Sequence, residues 1–299
     1  VVNRVKMETK AVKEGPRADD PPILDSYRVV AEFPHTKESF TQGLHWSGDG
    51  KSYYEGSGGA SFSHGTRIAK VDLSSGETLR YRDLPSRHFG EGVVTLGSKL
   101  YQLTWRSGLG FIYDKDSFKL LGQWKYQYDH EGWGFTTDGE ELIMSDGSAT
   151  LHFLDPESLE TKRQLIVRYL GRKSGEMTPL RRLNDLQWIK GKIYANIWEV
   201  DRIAVIDPES GFVERFIEMK GLLNDQDPWI KKWSKSDRCL NGIFFDEKED
   251  RLYVSGKMWT KIYEIEVLEG EGDEEAKKAA PRTDYYDSAG GFDPLGMGM

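Results

Sequence analysis

Cysteine is almost missing from this chain, since Cys239 is the only one in 299 residues. No internal disulfide can form, and no thiolate metal cluster can be built. Within DRCLNG, just ahead of an apolar strand, Cys239 is expected to be a buried structural thiol, the commoner fate of a lone cysteine. No apolar run approaches the ~18 residues that cross a bilayer, so no membrane segment is expected. No signal-peptide core is visible at the start either. A basic excess is absent: the formal net charge is −8, which argues against a general nucleic-acid binder. Familiar catalytic patterns are lacking as well. His35, His45, His64, His88, His130 and His152 are scattered, with no HxxxH or HExxH pair, and no GxGxxG loop follows a strand. The Gly-rich stretch SGGASFSHG (57–65) precedes a strand and not a helix, so it is a poor phosphate cradle.

What the chain does have is apolar and aromatic content, 37% and 12%, ample for a sizeable core. The two ends differ from the middle. Residues 1–26 mix charges with prolines and glycine without periodicity and read as a flexible arm. Residues 269–299 are acidic and then rich in glycine, and read as a disordered tail. Between them, 27–268 repeats one unit five times. Each copy opens with Gly or a small polar residue and an apolar strand. A turn carrying Gly or Asp, a second strand, a loop and a third strand often ending in Asp follow.

The first strands are GLHWSGDGK, GVVTLGSK, GFTTDGEE, DLQWIKGK and GIFFDEKED; the steps from Gly43 to Gly92, Gly134, Asp185 and Gly242 are 49, 42, 51 and 57 residues. Short strands at periods near 40–50 predict an all-β fold, a five-bladed β-propeller. Residues 27–35 are expected to supply the outer strand that closes the ring, and 223–237 a short helix between the last two blades. Radial closure leaves few open sheet edges, which makes a monomer the simpler expectation.

In such a ring equivalent positions converge on one end of the axis. Gln42, Glu91, Trp133, Asn184 and Asn241 precede the five first strands; Ser57, Trp105, Gly147, Trp198 and Lys257 are the sixth residues of the second strands. Both sets should meet at one mouth. Bland readings exist for each: Trp as core filler, Glu91 with Lys257 as a structural ion pair, the amides bonded to backbone. They leave unexplained why polar and aromatic residues recur at equivalent positions, which is the usual form of a small-ligand site. Glu91, flanked by aromatics including Phe89, should have a raised pKa suited to proton transfer. Lys257, Gln42 and Asn184 could hold a developing oxyanion.

The motifs FPHTKESFTQGL, FGEGV, LTW, GWGFTTDGEELIMSDGSATLHFLDP, YANIWEVDRIAVIDP and LNGIFFDEKEDRLYVSGKMW, in this order over about 28–268, resemble the plant and bacterial type of glutaminyl-peptide cyclotransferase. The resemblance implies a five-bladed propeller that converts N-terminal glutamine of peptides or proteins to pyroglutamate with release of ammonia. It implies Glu91 as the proton-transfer residue, with Gln42, Asn184 and Lys257 polar partners, and Phe40, Phe89, Trp105, Trp133 and Trp198 lining the pocket. No cofactor or metal is implied for catalysis, though the sequence leaves room for a structural ion. Members of the family commonly enter the secretory pathway, so a secretory or extracellular location is the expectation. One departure stands out: the family's Asn-Glu-Leu-Glu run is Asn184-Asp185-Leu186-Gln187 here.

Two rivals follow from the residues. Glu91, Asn184, Asn241 and Gln42 could imitate the Ca²⁺ shell of a propeller lactonase or hydrolase. Against it, Lys257 would repel the ion and Trp133 offers no oxygen. A non-catalytic binding propeller would need no Glu91 and would present a broad open surface.

Overall fold

The computed structural model describes residues 20–59, 65–128, 130–172 and 174–270. The expected tail, from 271 on, and residues 1–19 of the expected arm lie outside the described residues. The architecture is all-β. Among the described residues the only helical elements are two 3-10 turns, Leu222–Asp225 and Pro228–Lys232, within the segment where a short helix was expected. No described helix is long and apolar enough to cross a membrane.

Strand β1 (Ile23–Pro34) is followed by a four-stranded antiparallel meander, β2 (Thr41–Trp46), β3 (Ser52–Ser57), β4 (Arg67–Asp72) and β5 (Thr78–Asp83). A second meander holds β6 (Gly90–Leu96), β7 (Lys99–Thr104), β8 (Leu109–Asp114) and β9 (Leu120–Lys125). A third holds β10 (Phe135–Thr137), β11 (Leu142–Ser145), β12 (Thr150–Leu154) and β13 (Thr161–Ile166), and a small hairpin β14 (Arg168–Leu170), β15 (Met177–Pro179) follows. The fourth unit, β16 (Leu183–Ile189), β17 (Lys192–Ile197), β18 (Val200–Ile206) and β19 (Val213–Glu218), is joined through β1 to the fifth. That fifth unit is β20 (Leu240–Asp246), β21 (Arg251–Gly256) and β22 (Lys261–Leu268).

β1 begins at Ile23, earlier than the boundary at 27 expected from its prolines and charges. Its first residues, Ile23–Asp25, pair in parallel with β19, and Ser26–Pro34 pair antiparallel with β22. Asp25 is buried against Arg215, which donates to it at 2.6 and 2.7 Å, so the start of the strand is pinned.

The turn chemistry explains two features of the repeat. Lys190 and Gly191 both have positive φ (48° and 81°), the type I′ geometry that joins β16 directly to β17. The aspartate closing the third strand accepts the backbone N–H three residues on: Asp72 from Ser75, Asp114 from Ser117, Asp155 from Ser158 and Asp207 from Ser210, at 2.8–2.9 Å. Each carboxylate thereby turns the chain into the fourth strand.

The first strands contact one another in the cycle β2, β6, β10, β16, β20 and back to β2. They run too close for side chains at equivalent points. A Cβ on Gly43 would lie 2.7 Å from the Gly92 Cα, and one on Gly92 would lie 2.6 Å from the Trp133 carbonyl oxygen. Four units carry glycine there; the fourth carries Asp185 and fills the space the others vacate. Asp185 is fully buried, and its Oδ2 accepts the backbone N–H of Leu44 at 3.2 Å and of Ile243 at 2.9 Å. One side chain of β16 therefore ties down both β2 and β20.

Farther out, Trp46 and Tyr53 of the first unit stack on Phe244 of the fifth, with ring centroids 5.7 and 5.2 Å apart. Phe244 stacks in turn on Tyr253 at 4.6 Å. Such pairs contribute about 0.5–1.5 kcal/mol each beyond area burial. The first and last units are thus joined by a dry aromatic seam.

Replacing Asp185 with Leu strands two buried N–H groups, each costing about 1–3 kcal/mol. Urea denaturation should therefore show a loss of roughly 2–6 kcal/mol, while Asp185→Asn, which still offers a carbonyl oxygen, should lose far less. A Leu variant as stable as the wild type would remove Asp185 from its place at the hub.

Candidate active site

Four of the first strands lose register near their N-terminal ends. The breaks fall between Thr41 and Gly43, Gly90 and Val93, Leu183 and Leu186, and Leu240 and Ile243. Inside them sit Gln42, Glu91, Asn184 and Asn241. These residues were expected to precede the strands; they lie within them, because pairing resumes on the far side of each break, as Gly90 with Thr104 shows. A bulge disrupts strict alternation and re-aims a side chain. Each polar residue is buried, yet each belongs to the same end of its unit. Trp133 stands just ahead of β10, as expected, with its N–H bonded to the Ser145 carbonyl at 3.0 Å.

The ends of the second strands return to the same place. Trp105 donates its backbone N–H to the Phe89 carbonyl (3.0 Å), Trp198 to Arg182 (2.9 Å) and Lys257 to Cys239 (3.1 Å). In each case the acceptor lies two residues before its unit's polar bulge residue. In the first unit the equivalent residue is Gly58, whose N–H bonds to the Phe40 carbonyl at 3.0 Å. It is not the expected Ser57, because Ser57 is still paired with Thr41 inside the strand. Gly58 and Gly147 bring no aromatic ring. A Cβ on Gly147 would lie 2.7 Å from the Trp133 ring, so its absence makes room for that indole. Cys239 is buried, and burial raises its thiol pKa, opposed by Lys257.

The five expected aromatic residues form one connected wall. Phe40 meets Phe89 edge-on at 6.1 Å, Phe89 meets Trp105 at 5.8 Å, and Trp133 meets Trp198 at 5.6 Å with planes at 90°. Lys257 Nζ lies over the Phe40 ring, 5.0 Å from its centroid. The two halves are joined by Glu131, which the sequence reading did not single out. Its Oε2 accepts both the Trp105 Nε1–H at 2.6 Å and the Trp133 Nε1–H at 2.8 Å, and its Oε1 accepts from Arg106 at 3.0 Å. The only signal in the sequence was an acidic residue two positions before Trp133, inside a charged loop.

On the polar side, Asn241 Nδ2 donates to the Thr41 carbonyl at 3.0 Å and lies 3.3 Å from Gln42 Oε1, so those two amides are neighbours. Asn184 Oδ1 is buried with no hydrogen-bond partner among the described residues, an acceptor held ready at the mouth. Glu91 is the electrostatic centre. Burial pushes its carboxyl well above the usual carboxylate range; Lys257 pulls it back, and Glu131 and Asp185 push it further up. Burial likewise raises Asp185 well above its ordinary value, against backbone N–H bonds from Ile243, Leu44 and Leu186.

Gln187 belongs elsewhere. It lines a cavity of about 840 Å³ at the opposite ends of the first strands, with Trp46, Thr137, Trp188 and Phe245. Of the two residues of the departure, Asp185 thus sits at the hub and Gln187 at the end away from the candidate site.

Comparison with known proteins adds the following. A profile of the glutamine cyclotransferase family matches residues 3–267. A glutaminyl-peptide cyclotransferase of Arabidopsis thaliana is 35% identical over 244 residues, covering 82% of this chain and 72% of the relative. The crystal structure of the Myxococcus xanthus glutaminyl cyclase superposes with a TM-score of 0.72 at 28% identity, over 83% of this chain and 99% of that one.

The charges around Glu91 make opposite demands that substitution can separate. Glu131→Gln removes a like charge and should lower the Glu91 titration midpoint, whereas Lys257→Met removes the opposing ammonium and should raise it. Carbon NMR of side-chain carboxyls in labelled protein reads both shifts. Midpoints that move together, or not at all, would sever the link between Glu91 and these two residues.

Proposed function

This chain belongs to the glutamine cyclotransferase family and is a glutaminyl-peptide cyclotransferase; on that premise we propose how its residues carry out the reaction. The substrate class is peptides or proteins with N-terminal glutamine, whose ring closure to pyroglutamate releases ammonia. The five units are read as the five blades of a propeller spanning 23–268, with β1 as its closing strand. The unbroken cycle of contacts among the first strands and the parallel step from β19 to β1 support that reading.

In this reaction the substrate supplies the nucleophile. Its α-amine attacks its own side-chain Cδ, forming the ring C–N bond and a tetrahedral oxyanion; the carboxamide C–N bond then breaks and ammonia leaves. The enzyme must hold the amine and carboxamide in reacting geometry and carry one proton between two nitrogens. The observation that supports Glu91 as carrier is its burial within the electrostatic reach of Lys257 and of Glu131, the clasp of the aromatic wall, with its proton affinity raised. An ordinary carboxylate is too weak a base to take a proton from an attacking amine near neutrality, and a raised one is better matched. Glu91 takes the proton from the attacking amine and returns it to the departing nitrogen.

Lys257, Gln42 and Asn184 are assigned to the γ-carbonyl oxygen and the amine. The Lys257 ammonium offers the strongest stabilisation of the oxyanion, and the buried, unpaired Oδ1 of Asn184 suits an N–H donor of the substrate. Phe40, Phe89, Trp105, Trp133 and Trp198 are assigned to wall in the glutamine side chain and exclude water, which would otherwise compete with the amine. These steps draw on side chains of this chain alone.

Glu91→Gln tests the assignment in two ways. Ammonia release from a short peptide beginning with Gln should fall by about 10²–10⁴, the usual contribution of a positioned proton-transfer group. The same variant should gain stability relative to wild type. The native Glu91 pKa lies above the unfolded value near 4.3, so between those two values the native state binds more protons and wild-type stability falls as pH rises. The variant lacks that term, and its advantage should grow with pH from about 4.3 upward until the native pKa is passed. Full activity in the variant would remove Glu91 from the proton path.

A further inference from the structure

Read along the sequence, the six histidines are scattered, but the fold brings two of them together. His130, in the loop leading to Trp133, and His152, on β12, have ring centroids 4.4 Å apart. Asp146, just past β11, lies beside them, with His152 Nε2 2.9 Å from its Oδ2. A donor atom from each of the three residues falls within 4.8 Å of the other two. We propose that His130, Asp146 and His152 form a binding site for a first-row divalent transition metal ion of the zinc class, separate from Glu91 and its pocket.

Three observations carry the assignment. First, the donor set is two imidazoles and one carboxylate; nitrogen donors favour zinc-class ions, whereas Ca²⁺ and Mg²⁺ prefer all-oxygen shells. Second, each imidazole already has a partner on its other nitrogen, as metal-bound histidines do. His130 Nδ1 lies 3.0 Å from the Glu131 carbonyl oxygen, which fixes its proton there. His152 Nδ1 lies 3.2 Å from the Gln164 amide, and rotation of that amide presents Oε1 to an Nδ1–H, leaving Nε2 unprotonated for the ion. Third, the burial is graded: His152 is buried, Asp146 is mostly buried, and His130 is only partly buried, leaving entry from the His130 side. On binding, the His152 proton moves to Nδ1, and the Asp146 carboxylate supplies one negative charge.

The site also has something to hold. His130 lies three residues before Trp133, and Asp146 adjoins Gly147, the residue whose missing Cβ accommodates the Trp133 ring. An ion bridging the two segments braces both flanks of that indole and the Glu131 clasp beside it. Metal binding should therefore tighten substrate binding without taking part in proton transfer.

The test uses the full chain, stripped with a chelator and titrated with Zn²⁺ by calorimetry, with Co²⁺ as a spectroscopic probe. The expected result is one Zn²⁺ per chain and visible cobalt bands of a low-coordinate nitrogen–oxygen site. At Zn²⁺ about a hundredfold above Kd, the melting temperature should rise by about 5 °C. Ca²⁺ should do neither. His130→Ala, on the half-exposed loop and least harmful to folding, should abolish the stoichiometric site, as should His152→Ala. Gln164→Leu, which touches only the supporting hydrogen bond, should weaken Zn²⁺ by about 10- to 100-fold. With metal removed, KM for a Gln peptide should rise while kcat holds. Zinc binding that survives His130→Ala and His152→Ala, or no site at all in the folded wild-type chain, overturns the proposal. Binding and melting are read without substrate, so their outcome stands apart from the cyclisation reading.

Discussion

The whole arrangement hangs on one buried carboxylate. Around the axis, four first strands meet at glycines because a Cβ there would collide with the next strand. The remaining position carries Asp185, which accepts N–H groups from strands on two other units. Burying it is costly unless those bonds are made, so it fixes the relative placement of β2, β16 and β20. The same group reaches the chemistry, since its charge is among those that push the Glu91 proton affinity upward. Hub and candidate site are therefore electrostatically linked.

From that hub a repeated backbone produces an unrepeated pocket. Each register break frees one side chain at the mouth, and each second strand ends beside it, so a unit contributes two positions whatever residues occupy them. The first unit gives an amide, the second a carboxylate and an indole, the fourth an amide and an indole, and the fifth an amide and an ammonium. Orientation comes from the shared geometry and chemistry from the differences. The glycines at 58 and 147 belong to this scheme as well: each leaves out a side chain where Phe89 or Trp133 must lie.

Much of this was legible in the sequence, for identifiable reasons. The inner three strands of each unit have a buried face and carry their pattern openly, and the aspartates that end the third strands do so because a turn needs them. The pocket residues could be found because equivalence in the repeat predicts convergence in space. The fourth strands were not visible: all six residues of β5 are exposed, so no alternation marks it. β1 was placed late because parallel pairing of Ile23–Asp25 with β19 is a long-range contact that local composition does not encode. Glu131 escaped notice because its meaning depends on two indoles, Trp105 and Trp133, that come from separate units. His130 and His152 escaped for a similar reason, as spacing motifs register neighbours on one element and not residues brought together across strands.

The distribution of charges around Glu91 has a further consequence. Its proton affinity is set by burial within the second unit, by Lys257 from the fifth, by Glu131 from the loop entering the third, and by Asp185 from the fourth. None of these partners is close in sequence except by way of the closed cycle. A chain with one unit displaced would keep every one of these residues and lose the environment that raises the Glu91 proton affinity. Burial leads the upward shift while Lys257 and the two carboxylates pull in opposite directions, so the affinity depends on how tightly the units close. Ring closure thus does more than stabilise the fold: it brings together the charges from separate units that set the Glu91 proton affinity.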